Sequence, residues 1–155
     1  MLSVGDPAPD FSLQDQDGIT HRLADYAGRQ LIVYFYPKAD TPGCTRQSCS
    51  VRDHAAELAN AGVAAVGVSP DGAEAQKRFD DKFGLGFPLL CDTDREMAKS
   101  YGAWAERKVF GKVGISIVRS AFLVDVDGVL RGVWSPVTPE NTVPIALAAA
   151  KAAAG

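Results

Sequence analysis

The sequence predicts an α/β fold in which a mixed central β-sheet is flanked by helices and carries an N-terminal β-hairpin extension. Two apolar runs rich in β-branched and aromatic residues, Leu31–Tyr36 and Val63–Val68, are typical of buried strands. A helical stretch separates them, and two strands of one sheet joined by a helix form a parallel pair with a right-handed crossover. Ile115–Asp125 and Val129–Trp134 lie on either side of Asp127-Gly128, which predicts a late hairpin and hence antiparallel strands.

The first predicted element is the N-terminal hairpin. Asp10–Gln14 alternates as a strand does, the turn residues Asp15–Gly18 follow, and the chain returns through Ile19–Leu23. The acidic residues of this turn lack the glycine and glutamate spacing of a calcium loop, so we interpret the segment as a turn only. His21, on the second strand, is not expected to be catalytic.

Helices and one short strand are predicted for the middle of the chain. Small or apolar residues at helical spacing predict one buried helix face made of Cys44, Ser48, Val51, Ala55 and Leu58. His54 lies off this face and is interpreted as a solvated residue. The next predicted elements are a helix over Ala73–Phe83 stopped by Gly84, a strand over Phe87–Leu90 followed by Cys91, and a helix capped by Asp92–Asp94 that runs to about Tyr101.

The last third of the chain is predicted to contain a loop, the late hairpin and a helix. Residues 102–114 show no clear period, and we predict a loop there. An alanine-rich helix is predicted from about Glu140. Because the chain shows no internal repeat or linker, we expect a single domain over residues 1–155.

Composition narrows the classes of function. A net charge of −3 with mixed signs argues against nucleic acid or an anionic membrane as the main partner. No apolar run approaches the ~18 residues of a membrane span, and the first residues lack the pattern of a signal peptide. The three cysteines are therefore expected in a reducing, cytoplasmic compartment, where thiols are kept for reactivity rather than for disulfide crosslinks.

The strongest functional signal is the junction between the first apolar strand and the helix after it. Pro37 ends the strand because a proline cannot donate to the sheet ladder. Thr41 and Pro42 are typical of a helix cap and a first helical position, which places Cys44 in the first turn. Unpaired N–H groups and the helix dipole favour a thiolate there. The alternative is a cysteine that serves only as a small buried apolar residue.

Cys49 and Arg119 are weaker candidates when the residues are taken alone. Cys49 lies five residues after Cys44, which matches neither the spacing of structural zinc sites nor that of thioredoxin-type redox motifs. No metal site is predicted. Arg119 interrupts the apolar run Ile115–Asp125, so its side chain is expected either to reach solvent or to bind an anion.

The motif Pro37-x-x-x-Thr41-x-x-Cys44, preceded by VYFYP and followed by Cys49, resembles the active-site signature of the peroxiredoxins. More narrowly it is similar to the bacterioferritin comigratory protein (PrxQ-like) subfamily. The resemblance extends over GDPAPDFSLQDQDG, FPLLCDTDREMAKSYGAW and RSAFLVDVDGVL. It implies a thioredoxin-like fold and a thiol-dependent peroxidase that reduces hydrogen peroxide and organic hydroperoxides without a metal or haem cofactor.

The resemblance also assigns roles to individual residues. The implied catalytic residues are Cys44, Cys49, Thr41 and Arg119, and the implied substrate-binding residues are Pro37, Thr41, Gly43, Cys44 and Arg119. In the implied cycle a sulfenic acid on Cys44 is resolved by Cys49 as an intramolecular disulfide, and thioredoxin or a related dithiol reduces it. Cys91 has no counterpart in the usual pattern and is a second candidate for the resolving thiol. A monomer is implied by the resemblance alone.

Two other classes of function stay open at this stage. One is a thiol–disulfide oxidoreductase that acts on protein partners, and the other is a non-catalytic redox sensor. Thr41 also keeps two roles, since its hydroxyl could cap the helix and bind the peroxide or thiolate. If Cys44 and Cys49 share one helix, they lie about 7.5 Å apart along its axis and ~140° apart around it. That separation exceeds what a disulfide allows, so the helix start is expected to unwind before the bond forms.

Overall fold

A mixed five-stranded β-sheet lies at the centre of this computed structural model, which describes residues 2–109 and 111–154. The strands are β1 Ser12–Gln14, β2 Thr20–Arg22, β3 Gln30–Phe35, β4 Val63–Ser69, β5 Leu89–Cys91, β6 Trp104–Val109, β7 Lys112–Ile117, β8 Ser120–Val124 and β9 Leu130–Trp134. The helices are α1 Pro42–Asp53, α2 Ala55–Asn60, α3 Ala73–Phe83, α4 Glu96–Ser100 and α5 Thr142–Ala154, and a short 3-10 helix spans Leu23–Tyr26.

The central sheet has the strand order β5-β4-β3-β8-β9. Strand β3 pairs in parallel with β4, and β4 pairs in parallel with β5. Strand β8 pairs antiparallel with both β3 and β9. The predicted α/β fold with a mixed central sheet flanked by helices is therefore confirmed.

Strand β3 is the middle strand, and its side chains alternate between two apolar layers. Leu31, Val33 and Phe35 face the layer that contains residues of α4, whereas Ile32 and Tyr34 face the layer that contains residues of α1, α3 and α5. Alternation of this kind follows from the two-residue period of a strand that is covered on both faces. Every residue of β3 is buried, so the strand gives the chain that follows it a fixed starting point.

The predicted N-terminal hairpin is present as the antiparallel pair β1 and β2. Its turn contains Gly18 at a φ of 78°, a left-handed conformation that glycine adopts without strain. Gln16 ties the hairpin to the edge of the central sheet. Its Nε2 donates to the Phe87 carbonyl at 2.9 Å, and its Oε1 accepts from the Leu89 N–H at 2.8 Å.

The loop predicted for residues 102–114 is wrong, because most of this segment forms the antiparallel ribbon β6–β7. Gly111, in the turn of the ribbon, has a φ of 79°. Among the described strands, β6 and β7 form a sheet of their own, separate from the central sheet. A two-stranded ribbon is held by its backbone ladder and needs no regular apolar face, so the sequence carried no clear period. Phe110 of the same segment lies outside the described residues.

The single strand predicted over Ile115–Asp125 is also wrong, since β7 ends at Ile117 and β8 begins at Ser120. The two residues between the strands bond to other segments. The Val118 N–H donates to the Ala103 carbonyl at 2.7 Å, and the Arg119 carbonyl accepts from the Val137 N–H at 2.9 Å. This break leaves Arg119 outside the ladder, directly before the first residue of β8.

The long helix face predicted from Cys44 to Leu58 is interrupted. Helix α1 ends at Asp53 and α2 begins at Ala55, with His54 between them. The His54 Nδ1 lies 2.7 Å from the Ser50 carbonyl oxygen, one of the last carbonyls of α1. Because the helix is broken there, Ala55 is exposed instead of facing the core. The predicted buried positions before the break are correct.

Candidate active site

Cys44 occupies the first turn of α1, just beyond the end of β3. Thr41 has extended backbone angles (φ −96°, ψ 155°) and precedes Pro42 at the first helical position. The first helical hydrogen bond runs from the Thr45 N–H to the Thr41 carbonyl at 2.8 Å. Cys44 is fully buried. The amides before Thr45 have no partner within the helix, so partial positive charge gathers near the Cys44 sulfur.

Arg119 reaches Cys44 because of the sheet register. Phe35, the last residue of β3, pairs with Ser120 at the start of β8, so Arg119 stands beside the point where the chain leaves β3 for α1. Its Nη2 lies 3.4 Å from Cys44 Sγ, and its Nη1 donates to Gln47 Oε1 at 2.6 Å. The structure thus brings two of the predicted site residues into contact.

Gln47 is a site residue that the sequence reasoning missed. It lies one helical turn after Cys44 and is fully buried. Besides its bond to Arg119, its Nε2 donates to Thr142 Oγ1 at 3.0 Å. A polar residue on the buried face of α1, three positions from a candidate nucleophile, was the signal that could have found it.

Gly43 provides the room for the guanidinium of Arg119. A Cβ atom at this position would lie 3.0 Å from Arg119 Nη2 and 3.7 Å from Pro139 Cγ. The first distance is shorter than ordinary carbon–nitrogen contact, so a side chain there would push the guanidinium away from Cys44. Gly43 therefore shapes the site through the space it leaves open.

Thr41 does not cap the helix with its side chain as expected. Its hydroxyl donates to the Lys38 carbonyl at 2.9 Å, and within the described residues it accepts no bond from an α1 amide. A bond to Lys38 holds the loop before the helix instead. The hydroxyl then keeps its lone pairs, so Thr41 can act as a hydrogen-bond acceptor toward a bound molecule.

The loop between β3 and α1 is anchored to the α3 side of the sheet. Pro37 and Pro42 are both exposed, at the start of this loop and of the helix. The Ala39 N–H donates to Asp71 Oδ2 at 2.7 Å, and Lys82 Nζ lies 2.9 Å from Asp40 Oδ2. These contacts fix the loop that aims the first turn of α1.

The other two cysteines are set apart from this cluster. All three cysteines are free thiols. Cys49 is half-buried in the same continuous helix as Cys44, in the apolar layer that includes α5. Cys91 is half-buried at the end of β5. Burial, with a smaller contribution from the charges of Asp15 and Asp71, raises the pKa of Cys91 to about 11.

A cavity of about 330 Å³ lies at the opposite end of the central sheet. Tyr26, Leu31, Val124 and Asp125 are among the residues that line it. Leu31 pairs with Val124 at one end of the β3–β8 ladder, whereas Phe35 pairs with Ser120 at the end next to Arg119. This cavity is therefore separate from the cluster around Cys44.

Within residues 2–109 and 111–154, no group of three or more histidine, cysteine or carboxylate side chains is arranged to hold a metal ion. No helix in this part of the chain is both long and apolar enough to cross a membrane.

The chain is similar to known proteins over most of its length. Residues 4–133 match the model of the AhpC/TSA family. Peroxiredoxin Bcp of Escherichia coli is 45% identical over 140 residues, which cover 90% of each chain. Peroxiredoxin Bcp of Bacillus subtilis is 39% identical over 146 residues, 94% of this chain and 93% of that one. A structure of the bacterioferritin comigratory protein of Xanthomonas campestris, which has alkyl peroxide reduction activity, aligns with a TM-score of 0.89 at 32% identity, covering 94% of this chain and 92% of that one.

Proposed function

This chain belongs to the AhpC/TSA family and is a peroxiredoxin of the Bcp type, and we propose that Cys44 is the thiol with which it reduces hydroperoxides. The proposal depends on one observation, that Cys44 Sγ lies 3.4 Å from Arg119 Nη2 in the first turn of α1. A thiolate, not a thiol, attacks a peroxide, and both a guanidinium and a helix N-terminus favour the thiolate. The proposed substrates are hydrogen peroxide and organic hydroperoxides, and the reaction needs no metal or other cofactor.

In the proposed peroxide step the Cys44 sulfur attacks one peroxide oxygen. An S–O bond forms, the O–O bond breaks, and the second oxygen leaves as water or alcohol after it takes up a proton. The thiolate is oxidised by two electrons to a sulfenic acid, and the peroxide is reduced by the same two electrons. Negative charge grows on the leaving oxygen, where the Arg119 guanidinium and the first amides of α1 stabilise it.

Thr41 is proposed to orient the peroxide. Its hydrogen is engaged by the Lys38 carbonyl, which leaves the hydroxyl oxygen free to accept from the O–H of a hydroperoxide. Donors on Arg119 and an acceptor on Thr41 would hold the two ends of the O–O bond in line with the sulfur. Pro37 and Gly43 complete the proposed substrate site by ending the strand and by leaving space for the guanidinium.

The proposed resolving thiol is Cys49. Its sulfur would attack the sulfenic sulfur of Cys44, forming a disulfide and releasing the sulfenic oxygen as water. Both cysteines lie in the unbroken helix Pro42–Asp53. An intact helix holds them about 7.5 Å apart along the axis and on different faces, beyond the reach of a disulfide. The start of α1 must therefore open during each cycle.

We further propose thioredoxin, or a related dithiol, as the reductant. It would exchange with the Cys44–Cys49 disulfide, restore both thiols and become a disulfide itself. The protein is proposed to act in the cytoplasm, since its three free cysteines suit a reducing compartment. We propose that it acts as a single domain and, on the family resemblance alone, as a monomer.

A coupled assay of peroxide consumption with thioredoxin, thioredoxin reductase and NADPH tests this function. Cys44→Ser should abolish turnover, because serine provides no thiolate, while circular dichroism should show the fold intact. Arg119→Met keeps the thiol and should slow the peroxide step by about 10²-fold or more, the scale of losing one charged donor to the leaving oxygen. Cys91→Ser is the matched control and should retain turnover.

Retained turnover in Cys44→Ser would contradict the proposal. A redox sensor would instead consume about one peroxide per chain and then stop, even with thioredoxin present. A thiol–disulfide oxidoreductase would reduce protein disulfides such as those of insulin without any need for peroxide. The assay therefore separates the three classes of function.

A further inference from the structure

A chain of hydrogen bonds leads from the start of α5 into the active site. The Thr142 hydroxyl donates to the Thr138 carbonyl at 2.9 Å and accepts from Gln47 Nε2 at 3.0 Å. Gln47 Oε1 in turn accepts from Arg119 Nη1 at 2.6 Å, and Arg119 Nη2 lies 3.4 Å from Cys44 Sγ. We propose that Thr142 is a positioning residue for the peroxide step, because its hydroxyl sets the orientation of the Gln47 amide and, through it, that of the Arg119 guanidinium.

The direction of every bond in this chain follows from the groups themselves. A guanidinium has only donors, so the amide oxygen of Gln47 must face Arg119. The amide nitrogen must then face Thr142 and can only donate. The Thr142 oxygen can accept that bond because its own hydrogen is already given to the Thr138 carbonyl. The Thr138 carbonyl can only accept and the Arg119 guanidinium can only donate, so these two ends fix the direction of every hydrogen bond between them.

Burial stabilises this orientation of the Gln47 amide. Gln47 and Thr142 are both fully buried, so water cannot replace a lost partner. If the amide turned over, its NH₂ would face the donors of Arg119 and its oxygen would face the Thr142 oxygen. The bond to Arg119 would be lost, and the Thr142 hydroxyl could donate to the amide oxygen only by giving up its bond to the Thr138 carbonyl. The NH₂ would also repel the guanidinium away from its place beside Cys44.

The partner of Arg119 in this chain is neutral. An amide orients the guanidinium through a hydrogen bond but does not cancel its charge, whereas a carboxylate would do both. This partner therefore leaves the charge of Arg119 available to the Cys44 sulfur and the leaving oxygen. Glu140, a carboxylate that also interacts with Arg119, forms its ion pair with Arg46 at 2.8 Å. Thr142 supports this arrangement without touching the substrate.

The position of Thr142 in the fold makes it a stable anchor. It is the first residue of α5, and the apolar residues Val143, Ala146, Leu147 and Ala150 pack that helix into the same layer as Cys44. Thr142 also lies beyond residues 4–133, which match the family model. The inference therefore assigns an active-site role to a segment outside the matched region.

Thr142→Val tests the inference, since valine has nearly the shape of threonine but no hydroxyl. We expect Cys44 to react about tenfold more slowly with peroxide at pH 7, because the guanidinium is no longer held in line with the leaving oxygen. The pH profile of its alkylation by iodoacetamide should move to higher pH, because the same guanidinium favours the thiolate. Mass spectrometry of the Cys44 peptide separates its labelling from that of Cys49 and Cys91. Thr142→Ser, which keeps the hydroxyl, should restore the wild-type profile.

Repeating the Thr142 substitution in a Gln47 variant shows whether Thr142 acts through Gln47. In Gln47→Met no amide remains to be oriented, so adding Thr142→Val should not move the Cys44 profile further. If the valine disturbs folding, Thr142→Ser and Thr142→Ala can be compared instead. Their side chains are smaller, and only the serine keeps the hydroxyl. Equal profiles within either pair would overturn the inference, and so would an equal shift in both Gln47 backgrounds.

This inference rests on the proposed roles of Cys44 and Arg119, and the two can fail separately. Peroxide turnover that persists in Cys44→Ser would overturn the proposed function. Turnover that depends on Cys44 but is indifferent to the Thr142 hydroxyl would overturn the inference alone.

Discussion

The three cysteines differ at the scale of single residues in what surrounds their sulfur atoms. Cys44 is buried next to a guanidinium and the first amides of α1. Cys49 lies further along the same helix, in an apolar layer. Cys91 lies near the carboxylates of Asp15 and Asp71, whose charges add to burial in raising its pKa. Positive groups favour the reactive thiolate and negative groups oppose it, so we assign the peroxide chemistry to Cys44.

Cys91 should therefore remain outside the catalytic cycle. With a pKa of about 11, only on the order of one chain in a thousand carries a Cys91 thiolate at pH 8. Iodoacetamide should label Cys91 slowly in the folded protein and quickly in urea, where the buried environment is lost. After treatment with one equivalent of peroxide, mass spectrometry should find Cys44 joined to Cys49 with Cys91 free. A dominant link between Cys44 and Cys91 would reverse the assignment.

At the scale of one element, the two proposed steps of the reaction require different conformations of helix α1. Its folded first turn places Cys44 for the peroxide step, yet the same fold separates Cys44 from Cys49. Buried polar contacts hold this part of the helix, through the bond of Ser48 Oγ to the Tyr34 hydroxyl at 2.8 Å and through Gln47. Opening the helix would break these contacts, so the disulfide forms at their expense.

We expect the oxidised protein to lose helical order over roughly residues 41–49. Hydrogen exchange on the reduced and disulfide forms checks this, because the amides of Thr45–Val51 are protected only while α1 is folded. These amides should exchange much faster in the oxidised form, and those of α3 should serve as an unchanged control. Equal protection of Thr45–Val51 in both forms would mean that Cys49 is not the resolving thiol.

One end of the central sheet and one of its edge strands have different roles at the scale of the whole molecule. The end at Phe35 and Ser120 carries the Cys44 cluster, whereas the N-terminal hairpin closes an outer edge of the sheet beside Leu89. The hairpin turn is held by Asp15, whose Oδ1 accepts from the Ile19 N–H at 3.0 Å and whose Oδ2 lies 2.7 Å from His21 Nε2. The hairpin therefore contributes to stability, apart from the chemistry.

Asp15 should make the stability of the protein fall in acid. Burial opposes its ionisation, but the bonds from His21 and from the Asp17 and Ile19 amides outweigh burial and hold the pKa of Asp15 below its usual value of 3.8. The unfolded chain then binds more protons, so this stabilisation is present above about pH 4 and is lost as the pH falls through the lower folded value.

Urea unfolding of wild type and Asp15→Asn as a function of pH measures the effect. At pH 7 the variant should be less stable by about 1–2 kcal/mol, because a charged acceptor is replaced by a neutral one. The difference should shrink as the pH falls below 4. Peroxide turnover at pH 7 should be unchanged, since Asp15 lies away from Cys44. A difference that is constant from pH 7 to pH 3 would contradict the role given to the carboxylate.

Some of this protein could be predicted from its sequence alone, because the signals are local. The apolar run before Pro37, and Thr41-Pro42 after it, determine where a strand ends and a helix begins within a few residues. The position of Cys44 in the first turn of α1 follows from that junction. Parallel β3 and β4 followed equally from two apolar runs joined by a helix.

The contacts that build the site were decided only by the tertiary structure. Arg119 and Cys44 are 75 residues apart in sequence, and Gln47 and Thr142 are 95 apart. Such pairs meet because the register of β8 on β3 and the packing of α5 bring them together, and no local pattern encodes a register. The break before Ser120 was missed because it depends on bonds to Ala103 and Val137 in other segments. The β6–β7 ribbon is local, and it was missed because it needs no regular apolar face. Local residues determined which thiol stands at a helix start, and long-range packing determined which groups surround it.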